Sequence, residues 1–169
     1  MIRAILALNA ALVLPTTLTA DLALPQGARL LSDWSSPLDS YDLPVAAFAG
    51  SGVPSRRFEG RLERRTWSMS GAVGTALQIL APLREQLRAD GYEIIFECAD
   101  TECGGFDFRF AIDVAPAPAM YVNLRDFRFL SAIRGEDGAL SLLVSVSPTA
   151  AYVQEIQTTA DNTGRQGEP

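Results

Sequence analysis

Two hydrophobic periods follow one another along the middle of this chain. Val73, Ala76, Leu77, Leu80, Leu83 and Leu87 recur every three to four residues and predict a helix with one covered face. Gly91 ends it. Tyr92, Ile94, Phe96 and Cys98 then alternate with polar positions, as do Phe106, Phe108, Phe110 and Ile112. A period of two predicts two strands, joined by a loop that carries Cys98 and Cys103. Thr75-Ala-Leu-Gln78 matches a capping box, in which the Thr hydroxyl and the Gln side chain each answer a free backbone N–H. Pro82 interrupts the helical period. Either it kinks one long helix, by removing a hydrogen bond to the Gln78 carbonyl, or the regular helix begins there.

The flanking segments read as sheet. Phe58 to Met69 alternates Glu59, Arg61, Glu63 and Arg65 against Phe58, Gly60 and Leu62. Arg64 falls on the apolar face of that strand and must reach out or find an acid. Asp126 to Arg134 is a strand with Phe127, Phe129, Ser131 and Ile133 on one side. Gly135-Glu-Asp-Gly138 turns it into Leu140 to Val146, where apolar residues alternate with serines. Ala151 to Gln157 adds an edge strand. Val114 to Pro118 is a stiff connector. Asp21 to Ser55 is rich in Pro, Gly, Ser and Asp; short extended pieces fit Ala28–Leu31 and Leu38–Pro44. The fold class is therefore α+β: an antiparallel sheet of about five to six strands with one main helix packed on one face. The expected divisions are a signal peptide over 1–20, an irregular extended arm over 21–57, an α+β core over 58–157 and a polar tail over 158–169.

The amino terminus changes where this fold must operate. Arg3 precedes an apolar run from Ala4 to Leu14, and small, turn-prone residues lead to Ala20. This is a secretory pattern with cleavage expected between Ala20 and Asp21. The apolar run is about half of what a bilayer-spanning helix needs. An exported chain with only two cysteines predicts a Cys98–Cys103 disulfide. Four residues separate them, unlike the two of thioredoxin-like motifs, and closing so short a loop contributes about 2 kcal/mol.

Composition narrows the chemistry. Apolar residues make up 48 %, enough for a packed core. Fourteen arginines against twenty acids give a net charge of −6, which argues against non-specific nucleic-acid binding. The chain contains no histidine, so Ser-His-Asp and Cys-His catalysis cannot be built within it. No catalytic, cofactor or metal residues are assigned. Arg56, Arg57, Arg61 and Arg65 form the one basic cluster and the candidate interaction patch, suited to carboxylates or phosphates. Glu59 and Glu63 offset part of it. Asp107 and Asp113, on the polar face of their predicted strand, are the pair a carboxylate-dependent hydrolase would use. A small molecule held between the sheet and the 21–55 arm is a further reading. The expected role is a non-catalytic module of the periplasm or outer membrane whose partner is an envelope protein or cell-wall component.

Several strings point the same way: Pro37-Leu-Asp-Ser-Tyr-Asp-Leu-Pro44, Phe58-Glu-Gly-Arg, Leu80-Ala-Pro-Leu-Arg-Glu-Gln-Leu87, Gly91-Tyr-Glu-Ile-Ile-Phe-Glu-Cys98, Cys103-Gly-Gly-Phe-Asp-Phe-Arg-Phe110 and Asp126-Phe-Arg-Phe-Leu130. Together they resemble an uncharacterised exported proteobacterial domain, found alone or ahead of an OmpA-like peptidoglycan-binding domain. The resemblance spans about Leu24 to Ile156. It implies an envelope setting and brings no catalytic residues. An OmpA-like module is not expected within these 169 residues, so wall attachment is expected to run through a partner.

Overall fold

A computed structural model describes residues 21–71, 74–136 and 138–160. The expected signal segment Met1–Ala20 and most of the polar tail lie outside them. Among the described residues six strands form one sheet, antiparallel at every pairing: β1 (Arg29–Pro44), β2 (Ser55–Ser70), β3 (Glu93–Ala99), β4 (Phe127–Arg134), β5 (Gly138–Val146) and β6 (Ala150–Thr159). Their spatial order is β1-β2-β6-β5-β4-β3. Three helices among the described residues accompany them: α1 (Ala76–Ala89), α2 (Asp100–Cys103) and α3 (Gly105–Ala111).

The capping box forms as read: the Thr75 hydroxyl accepts from the Gln78 N–H, and the Gln78 side chain accepts from the Thr75 N–H. Helix α1 continues through Pro82, which sits on its exposed side. Ala76, Ile79, Leu80, Leu83 and Leu87 are buried against one sheet face. Leu77, expected in that stripe, is 41 % exposed and Ile79 takes its place. Val73 lies outside the described residues. Arg84 fixes the helix to the sheet by donating to both oxygens of Glu97 on β3, each at 2.9 Å.

Three expectations are corrected. The 21–57 arm is not irregular: β1 occupies sixteen of its residues and pairs with β2 along its length. Backbone pairing outweighs its poor apolar alternation. The 151–157 segment is not an edge, because β6 lies between β2 and β5. The Phe106–Ile112 segment is not a strand but helix α3. A bulge at Ile95 also breaks the even alternation of β3. Ile94 therefore packs toward α1, and Phe96 and Cys98 pack toward the opposite face.

That opposite face carries two further clusters. At one end α3 and the 112–124 connector cover Phe127, Phe129 and Leu143. The Gln154 side chain clamps the connector, accepting from the Ala115 N–H at 2.6 Å and donating to the Asp113 carbonyl at 2.9 Å. At the other end the β1–β2 ribbon curls over the sheet. Tyr41 meets Ser141 at 2.7 Å, Ser131 donates to the Pro44 carbonyl at 2.6 Å, and Leu43, Phe58 and Leu62 close over Ile156 and Ala139. Gly60 admits no side chain beside β6, because a Cβ there would overlap the Thr159 carbonyl oxygen.

Candidate functional site

The Cys98–Cys103 disulfide is present and closes a loop that contains α2. Gly104 follows in the left-handed region at φ 114°, close under Phe48, whose N–H donates to the Cys103 carbonyl at 2.8 Å. Helix α3 starts immediately afterwards. Its one acid, Asp107, falls in the first turn and its one base, Arg109, in the last, the arrangement a helix dipole favours. Phe108 is wholly buried and anchors the helix, edge-on to Phe129 at 5.2 Å and stacked with Phe127 at 6.4 Å.

Anchoring by Phe108 forces its neighbours outward. Phe106 and Phe110, one turn apart, are 60 % and 67 % exposed, with ring centroids 4.5 Å apart. The Arg109 guanidinium lies 5.2 Å from the Phe110 ring centre. No acid pairs with Arg109 among the described residues, and partial burial lowers its pKa. The result is a rigid knob of two aromatic rings and an arginine, the side chains that concentrate energy when a protein surface is covered.

The arginine cluster does not assemble as one patch. Arg57, Arg61 and Arg65 share the α1 face of β2, whereas Arg56 lies on the other. Arg57 makes a two-point pair with Asp42, at 2.9 and 2.8 Å, which holds the Asp42 carboxyl below its usual range. Arg61 bonds Glu63 at 2.7 Å, and Arg65 lies between Glu63 and Glu155 at 3.5 and 3.7 Å. Arg56 donates to the Glu136 carbonyl and covers the Phe58 ring. Arg64, on the apolar face, has found its acid in Asp113. Asp113 and Asp107 therefore share no strand face: Asp107 is on α3, and Asp113 follows that helix, tied to β2.

Between β1 and β2 an open hollow of about 400 Å³ is lined by Asp33, Ser35, Arg61, Glu63 and Arg65. Glu155 stands beside Arg65 in the β2–β6 register. Only 1 % exposed, it has no hydrogen-bond partner on either carboxyl oxygen among the described residues. Burial raises its pKa to about 7, against the opposing pull of Arg65. Its carboxyl has the proton affinity of a general acid, but no surface at which a substrate atom could meet it.

No family model and no curated protein matches the chain. The functional reading rests on its own side chains; the sequence alone gives Phe106 and Phe110 only as strand positions, and does not single out Arg109 or the buried Glu155. For the knob a signal existed. Phe106 and Phe110 are four apart, with the acid before the base, between Gly104-Gly105 and Pro116. That is a short helix written over a period of two. For Glu155 there was none, because a glutamate in a polar segment does not announce burial.

Proposed function

We propose that this chain is a non-catalytic interaction module of the bacterial cell envelope, exported to the periplasm or associated with the outer membrane. It docks through the α3 knob into an apolar groove of an envelope protein, with an acid at the groove's rim for Arg109. The observation that carries this reading is the exposed Phe106–Phe110 pair on a helix held by a disulfide and a buried Phe108. Two exposed aromatic rings gain a large apolar area on docking, and a pre-anchored helix loses little conformational freedom. The disulfide and the Met1–Ala20 pattern support an oxidising compartment. The open hollow and the mutually paired arginines favour surface recognition over an enclosed reaction site.

The test is capture from solubilised envelope with the purified protein as bait. Phe106→Ser with Phe110→Ser is expected to lose the captured protein while the thermal transition is unchanged, since both rings are exposed. Arg56→Glu with Arg57→Glu is expected to retain it. Loss in the arginine variant with retention in the phenylalanine variant would move the site to β2 and defeat this reading.

A further inference from the structure

Among the described residues strand β1 ends the sheet, and no strand lies beside its outer edge. Among the described residues eight large apolar side chains are exposed, and four of them lie on this strand: Leu30, Leu31, Trp34 and Leu38. The β1–β2 register breaks twice. One extra residue is inserted at Leu31, and one more at Pro37–Leu38. Between the breaks Ser32 to Ser36 runs regularly, with Trp34 at its centre.

The strand is symmetric in character about Trp34. Leu30 and Leu38 are equidistant from it, as are Ser32 and Ser36, and so are Arg29 and Asp39. Arg29, Ser32, Trp34, Ser36 and Asp39 pair with Ser68, Thr66, Arg64, Leu62 and Gly60, alternate β2 positions that share one face. Neither Arg29 nor Asp39 has an ion-pair partner among the described residues.

We infer that β1 pairs antiparallel with β1 of a second copy of this chain, about a two-fold axis through Trp34. In that register Trp34 meets its own counterpart, and Arg29 of each copy faces Asp39 of the other. Leu30 faces Leu38, again twice. The two bulges fall opposite each other, one extra residue on each strand, so neither breaks the pairing. Pro37, which has no N–H to give a ladder, falls in the bulge and outside the regular window. The partner is a second copy because the edge is complementary to itself in charge, in apolar positions and in bulge placement. Such a contact is small, so the dimer forms in the micromolar range, and it joins two α3 knobs in one particle.

Sedimentation velocity of the purified chain, from about 1 µM to about 1 mM at low salt, tests this. The expected result is a monomer–dimer equilibrium. Arg29→Asp should weaken it about tenfold, because each substitution converts two attractive pairs into two repulsive ones. Asp39→Arg should do the same, and the double variant Arg29→Asp/Asp39→Arg should restore the dimer. Both positions are exposed, so folding is not at stake. A monomer throughout the range overturns the inference, and so does a dimer indifferent to these charge reversals. Neither result bears on the α3 knob, which lies on a different element.

Discussion

Glu155 is the residue at which polarity and position disagree most. In the unfolded chain its carboxyl titrates at the ordinary value of 4.5; in the fold it titrates at about 7 because burial penalises the ion. Between these values the folded chain keeps a proton that the unfolded chain has lost. The stabilisation is complete below about pH 4.5 and disappears as pH rises through about 7. Asp33, Glu63 and Asp21 add to the penalty on the ion, and Arg65, at 3.7 Å, offsets part of it. Glu155→Gln removes the ionisation. It is expected to raise the stability at pH 8 by on the order of 2–3 kcal/mol and to flatten the pH 5–8 dependence. Thermal melts across that range check this, and an unchanged slope contradicts it. Asp42 opposes this trend at the acid end, because its pair with Arg57 depresses its pKa and is lost on protonation.

At the scale of elements, α3 depends on its staple more than on its length. Seven residues are too few to hold a helix in water, so Phe108 and the Cys98–Cys103 bond must supply the order. Cys98→Ser with Cys103→Ser is expected to lose about 2 kcal/mol. The loss should concentrate in faster amide exchange over 100–111, with β4, β5 and β6 keeping their protection. Uniform acceleration across the sheet would contradict a local staple. The same element shows where local sequence signatures stop deciding structure. The capping box, α1, β2, β4, β5 and the disulfide were legible because each has a local signature: a period, a cap, a turn or a cysteine pair. Phe-Asp-Phe-Arg-Phe satisfies a strand period and a helical i,i+4 pair at once, and tertiary anchoring by Phe108 decides between them. Gln154, Glu155 and Gln157 give β6 the polarity of an edge strand. They are buried because Gln154 holds the connector, Gln157 donates to the Tyr92 hydroxyl and Glu155 lies under Arg65. Strand β1 has almost no alternation, and its pairing with β2 is a long-range fact.

In the molecule as a whole, scaffold and proposed contact surfaces are separate. The curled sheet, covered on one face by α1 and on the other by α3 and the connector, supplies the stability. The proposed contact surfaces are the α3 knob and the β1 edge; they lie on different elements, so one could bind a partner while the other joins two copies. The central claim is that the knob touches an envelope protein. It is tested most directly by placing a photoreactive residue at position 106, 110 or 77 and irradiating intact cells. Position 77 is the control: Leu77 is also exposed but lies on α1. The account predicts one shared adduct from 106 and 110 that is absent from 77. Adducts of equal strength from all three positions, or none from 106 and 110, would contradict it.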